Sequence, residues 1–163
     1  MQLISVAAVA ENGVIGRNDE LPWPSIPADK HQYRNRIADW PVILGRRTFE
    51  SMREDLPGTA QVVLSRSKSA YDAKSVYHAP GVNSAVKLIE TLGSTRAYVI
   101  GGAEIYDLFL PLVDKMLLSR VPGEYDGDAY FPKCNTDEWT IKNRTVYDAF
   151  TLEEWVREQN KRV

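Results

Sequence analysis

The chain predicts an α/β fold: a single domain spanning residues 1–163, with a mainly parallel central sheet, helices on both faces and an antiparallel C-terminal hairpin strand. Three observations carry that expectation. Short apolar runs alternate with stretches of helical spacing along most of the chain. Three of those runs end alike: VILG enters Arg46, Arg47 and Thr48; VVLS enters Arg66 and Ser67; YVI enters Gly101 and Gly102. Finally, the last two runs are joined by a short turn around Asp148, which suits antiparallel pairing and is too short for a parallel crossover.

In chain order the strand candidates are LISVAAVA (3–10), PVILG (41–45), QVVLS (61–65), the weaker SVYHA (75–79), AYVIG (97–101), KMLLSRV (115–121), WTIKNRTVY (139–147) and part of FTLEEWVRE (150–158). Helices are expected over 28–38, 46–53, 82–92 and 103–110, the last stopping at Pro111. Strand–helix alternation implies crossovers that bring successive strands into a parallel sheet. LEEWV is ambiguous, because Leu152, Trp155 and Val156 also fit a helical face.

Composition narrows the class. A length of 163 residues suits one domain with a real core, and 44% hydrophobic residues place the chain among globular proteins. No stretch approaches the roughly 20 apolar residues of a spanning helix, so no membrane association is expected. The start, MQLISVAAVAENG, lacks a basic leader segment and alternates like a strand, so no signal peptide is expected. With Cys134 as the one cysteine, no internal disulfide can form, and a reducing, cytoplasmic compartment is the simple inference. A net charge of −2 argues against a nucleic-acid partner. His31 and His78 are the only histidines, so with one cysteine no His/Cys metal cluster is expected.

If the three similar strands are parallel, their carboxyl ends share the edge where open α/β sheets bind ligands. Helix starts there offer free N–H groups, and glycines let a phosphate approach the backbone. Arg46, Arg47 and Arg66 on the same edge point to a nucleotide with more than one phosphate. Taken singly, Gly-Gly after a strand is often a tight turn, and arginines at a helix start are usually solvated. Neither G-x-G-x-x-G nor G-x-x-x-x-G-K-[ST] occurs.

LPWPSIPADK (21–30) is the other unusual stretch. Pro27 suits a first helical turn, and Asp29 there complements the helix dipole, which is reason enough for many such acids. Asp29 also lies four residues before Tyr33, on the face that must meet the sheet. An unpaired, desolvated acid with a raised pKa is therefore expected, and a ligand with paired N–H donors would satisfy it.

Together these phrases resemble dihydrofolate reductase: VAAVAENGVIGRNDELPW, PADKHQYR, PVILGRRTFES, LPG, VVLSRS, YVIGGAEIYDLFLP and GDAYFP, from residue 3 to residue 132. SIPADK, LPGTAQ and SRVPGEY are similar to versions in salt-loving archaea, although a charge of −2 lacks a halophilic acid excess. The resemblance implies hydride transfer from NADPH to C6 of 7,8-dihydrofolate, a proton to N5, and tetrahydrofolate for one-carbon and thymidylate metabolism. It implies a monomer.

By the same resemblance, Asp29 is the single acid that binds the pterin and supports N5 protonation, and Ser119 is the hydroxyl residue hydrogen-bonded to it. Trp23 and Leu21 belong to a mobile loop over the nicotinamide, which the neighbouring prolines would stiffen. Val6, Ala7, Tyr33, Met52, Leu56, Ile100 and Tyr106 match the substrate pocket, and Lys30 and Arg34 lie beside it. Ala8, Ile15 and Gly16 match the nicotinamide side. Gly45, Arg46, Arg47, Thr48, Leu64, Ser65 and Arg66 match phosphate and adenosine contacts. Ile100, Gly101, Gly102, Ala103, Glu104, Ile105 and Tyr106 match the Gly-Gly loop and its helix, where the family has a cis peptide bond.

Three departures stand out. Thr59 replaces the arginine that usually follows LPG and grips the glutamate tail of folate; Lys30, Arg34 or Arg53 could substitute, with Arg34 favoured. Glu104 stands where some relatives carry a basic residue near the 2′-phosphate, so NADPH preference would rest on Arg47 and Arg66. Ala129 stands where threonine is common. Trp40, Trp139 and Trp155 read as packing residues, His31 as exposed, His78 as part of an edge strand and Cys134 as inert. A riboflavin-pathway pyrimidine reductase would lack the PW…PAD segment. A non-catalytic folate- or nucleotide-binding paralogue is the rival of another class, but Asp29, Trp23 and both glycines are present.

Overall fold

A computed structural model describes residues 1–67, 71, 73–135 and 137–158. The chain runs β1 (Gln2–Ala10), β2 (Val14–Gly16), α1 (Pro27–Ile37), β3 (Val42–Gly45), α2 (Arg46–Ser51), β4 (Gln61–Leu64), β5 (Val76–Ala79), α3 (Val82–Thr91), β6 (Arg96–Val99), α4 (Ala103–Phe109), β7 (Lys115–Val121), β8 (Ala129–Tyr130), β9 (Trp139–Val146) and β10 (Thr151–Arg157). Eight strands form one sheet in the order β5-β4-β3-β6-β1-β7-β10-β9. The pairings from β5 to β7 are parallel, and β10 runs antiparallel to both β7 and β9.

The sheet is covered on both faces because its strands alternate between two cores. Leu3, Ala7 and Val9 of β1 join Ala85 and Ile89 of α3 and Ile105 and Phe109 of α4. Ile4, Val6 and Ala10 face the other way, toward Trp23, Ile37 of α1 and Phe49 of α2. Each fully buried side chain of the size of Ile89 or Phe109 is worth about 1.5–3 kcal/mol over leaving it in water.

The ambiguity of LEEWV resolves in favour of the strand: Leu152 to Val156 pair with β7, and the two glutamates are matched by cations on neighbouring strands. A register shift at Glu154/Trp155 accommodates an extra residue of β9. A second sheet, β2 with β8, was not expected. Its strands have three and two residues, too few to show periodicity.

The LPG turn is held by its glycine. Gly58 has φ +70°, and a Cβ there would lie 2.4 Å from the Trp40 carbonyl oxygen. Buried Gln61 fastens the same turn, donating to the Pro57 carbonyl at 2.6 Å and accepting from the Ser75 hydroxyl at 2.7 Å. Trp139 is buried, while Trp40 and Trp155 are half-buried against the two cores, all three as packing residues.

Candidate functional site

Topology opens the cleft. β3 hands the chain outward to β4, whereas β6 hands it the other way to β7, so their carboxyl ends part into a crevice. β1 pairs with β6 only from Gln2 to Ser5, then continues beside β7 to Ala10. Val6, Ala7 and Ala8 therefore border the opening. A cavity of about 1070 Å³ fills it.

At its deep end Asp29 occupies the first turn of α1, with Pro27 preceding it. Its Oδ1 accepts from the Ser119 hydroxyl at 2.5 Å and from the Gln32 amide at 3.0 Å. Gln32 Nε2 also lies 3.4 Å from the Ser119 oxygen. Asp29 is half-buried and lines the cavity. The unpaired acid expected from helix spacing is thus corrected: Asp29 has two protein partners on one oxygen, the Ser119 hydroxyl implied by the resemblance and Gln32. Gln32 was missed; its only sequence signal is the i+3 spacing that puts it beside Asp29 on the helix.

Tyr106 is buried across from this carboxylate and donates to the Val6 carbonyl at 2.6 Å. Burial raises its phenol pKa far above the ordinary range, with Tyr33 and then Asp29 adding to the effect. Tyr33, Met52 and Ile100 supply apolar wall.

The other end is cationic. Arg46, Arg47, Thr48, Leu64, Ser65 and Arg66 line it, with Gly101 to Tyr106 beneath. The Gly101–Gly102 bond is cis. Gly45 N–H donates to the Gly101 carbonyl at 2.8 Å, tying β3 to the Gly-Gly loop. A Cβ on Gly45 would lie 3.1 Å from Ile105, and one on Gly101, at φ +116°, would lie 3.2 Å from the Tyr106 ring. α2 and α4 have only six and seven residues, so their dipoles are small and the arginines carry most of the positive field. Each of two arginines faces an acid here: Arg66 Nη2 lies 3.1 Å from Glu104, and Arg47 Nη1 lies 3.8 Å from Asp19. Asp19, Glu20 and Asp128 line the mouth and were not anticipated.

Most sequence-expected residues meet in this cavity. Val6, Ala7, Ala8, Ile15, Gly16, Leu21, Asp29, Tyr33, Gly45, Met52, Ile100 and Ser119 all line it, together with the arginine and glycine segments. Trp23, Lys30, Arg34 and Leu56 do not. Trp23 is buried in the core against Tyr125, edge to face at 5.5 Å. Leu56 packs against the same core. Lys30 is exposed. Arg34 lies beside Tyr33, its Nη2 3.7 Å from Asp55 and its buried Nε without a hydrogen-bond partner among the described residues. Thr59 is exposed, far along the sheet beside Trp40 and Ser75. Among the described residues no cluster could hold a metal ion.

A family model described as dihydrofolate reductase matches residues 2–155. Dihydrofolate reductase 1 of Haloarcula marismortui is 39% identical over 170 residues, covering 94% of this chain and 90% of that protein. Dihydrofolate reductase of Haemophilus influenzae is 36% identical, covering 84% and 82%. Dihydrofolate reductase HdrB of Haloferax volcanii is 31% identical, covering 98% and 85%.

Proposed function

The chain belongs to the dihydrofolate reductase family, and from that premise we propose which of its residues carry the reaction. The enzyme is an oxidoreductase that reduces 7,8-dihydrofolate to tetrahydrofolate at the expense of a reduced nicotinamide cofactor. The observation that carries the assignment of roles is the polarity of one cavity: a tethered carboxylate at one end, arginines and close-packed glycines at the other.

We take NADPH as the cofactor. The residues present fit it. Arg46, Arg47 and Arg66 supply cations for its phosphates, beside the Gly45 and Gly101 backbone, where a Cβ would press on Ile105 and Tyr106. When bound, it supplies the hydride. Ala8, Ile15 and Gly16 would flank the nicotinamide, and Gly101 to Tyr106 would lie under the pyrophosphate.

Asp29 would bind the pterin. Ser119 and Gln32 occupy Oδ1, so Oδ2 remains for the paired N–H donors of the ring. The same carboxylate would support proton delivery to N5 through water. Tyr33, Met52, Leu56 and Ile100 would enclose the rings, with Val6, Ala7 and Tyr106 on the sheet side. Leu21, 55% exposed at the mouth, and Trp23 beneath it would close over the reacting ring and exclude water. Arg34 would hold the glutamate tail in place of the arginine that Thr59 replaces; its unpartnered Nε supports this role. Lys30 would lie beside it.

We read residues 1–163 as one domain, since a single sheet draws strands from Gln2 to Arg157. We also propose a cytoplasmic monomer without nucleic-acid or membrane partners; the half-buried free Cys134 suits a reducing compartment, and no described helix is long and apolar enough to cross a membrane. Mixing protein, NADPH and dihydrofolate tests the assignment. Absorbance of the reduced nicotinamide should fall in proportion to enzyme, and no fall would refute catalysis while leaving a binding paralogue.

A further inference from the structure

Arg66 and Glu104 reach toward each other from different elements, one beyond β4 and one in the first turn of α4. Arg66 Nη2 donates to Glu104 Oε1 at 3.1 Å, and both residues line the cationic end of the cavity. Their side chains are 91% and 69% exposed, so the pair is screened by water and held weakly. Either partner can re-pair with a ligand at little cost.

The two nicotinamide dinucleotides differ at one position, the adenosine ribose 2′-oxygen. One carries a phosphate there and the other a hydroxyl. A guanidinium suits the phosphate, while a carboxylate accepts a hydrogen bond from the hydroxyl. A guanidinium and a carboxylate 3.1 Å apart therefore offer both recognitions at nearly the same point. The carboxylate also opposes a bound 2′-phosphate, first by occupying Arg66 and then by like-charge repulsion.

We infer that Glu104 is a specificity-determining residue that narrows this enzyme's discrimination between NADPH and NADH. It weakens the hold of Arg66 on the 2′-phosphate and provides an acceptor for the 2′-hydroxyl. The inference rests on reading this end of the cavity as the dinucleotide site. The Arg47–Asp19 pair at 3.8 Å lies in the same mouth, and its two charges are left in place in the test.

The test compares wild type with Glu104→Gln and Arg66→Gln at low ionic strength. Calorimetry measures binding of adenosine 2′,5′-bisphosphate and adenosine 5′-monophosphate, and steady-state assays give the NADPH-to-NADH ratio of kcat/KM. Glu104→Gln should raise both the probe-binding ratio and the kcat/KM ratio by about threefold to fivefold, the range open to exposed charge pairs. Arg66→Gln should lower both. In an Arg66→Gln background, Glu104→Gln should have a smaller effect than alone, because part of its action runs through the pair. Ratios that stay constant or fall in Glu104→Gln would overturn the inference. If wild type binds both probes yet fails to reduce dihydrofolate, the substrate assignment fails and the probe ratios still decide the role of Glu104.

Discussion

Two donors share one oxygen of Asp29, and that arrangement decides what the carboxylate can do. Ser119 and Gln32 hold Oδ1 at 2.5 Å and 3.0 Å, which orients the group and engages neither donor with Oδ2. Removing a hydrogen bond to a charged group costs about 1.5–3 kcal/mol. Ser119→Ala should therefore raise the KM for dihydrofolate by roughly tenfold or more, with little change in the KM for NADPH. A uniform effect on both would show that Ser119 supports the fold rather than the acid. Arg34→Ala should likewise raise the dihydrofolate KM far more than that for NADPH, and equal small effects would remove Arg34 from the substrate pocket. Asp29 was legible because an acid beside three prolines and a tryptophan is unusual. Gln32 was not, because an amide on a helix has no pattern of its own until Ser119, distant in sequence, arrives beside it.

Among the elements, β10 shows most clearly why spacing alone leaves a segment ambiguous. Glu153 and Glu154 interrupt strand alternation, and a helix would place Leu152, Trp155 and Val156 on one face. The strand prevails because its neighbours supply counter-charges. Lys115 Nζ lies 2.9 Å from Glu154, Asn143 donates to it at 3.0 Å, and Arg144 lies 3.1 Å from Glu153. The Lys115 hydrogen bond, followed by that from Asn143, lowers the Glu154 pKa below its ordinary 4.5. A depressed folded-state pKa gives stability that is present above the unfolded value and lost as pH falls through the folded one. Glu154→Gln should thus lower Tm at neutral pH, and the gap to wild type should close as pH falls below the ordinary 4.5 and through the depressed folded-state value. A gap that persists in acid would mean the glutamine disrupts packing instead. β2 and β8 escaped sequence reading for a different reason: they exist only through each other and through the close approach at Gly127, where a Cβ would lie 2.6 Å from the Gly16 carbonyl oxygen.

For the molecule as a whole, strand order does the work of assembly. Three segments separated in sequence, at Gly45, Leu64 and Ile100, come to one edge because β3, β4 and β6 run parallel. That edge was readable from three similar strand endings. Glu104 was noted there too, but the acids at the mouth were not, since Asp19, Glu20 and Asp128 lie on short connections whose course depends on the small β2–β8 sheet. The core should behave as one cooperative unit. Phe109, fully buried between α4 and the sheet, should cost about 3–5 kcal/mol when truncated to alanine, read as a drop in denaturant midpoint. On the proposed roles, this fold brings one carboxylate to the pterin end of a dinucleotide cleft to bind substrate and assist protonation. The most direct measurement is dihydrofolate reduction by NADPH across pH for wild type and Asp29→Asn. Wild type should be active and the variant slowed on the order of 10²-fold or more, as loss of an acid–base group usually entails. Equal activity of the two proteins at every pH would contradict it and leave Asp29 as a helix-start acid alone.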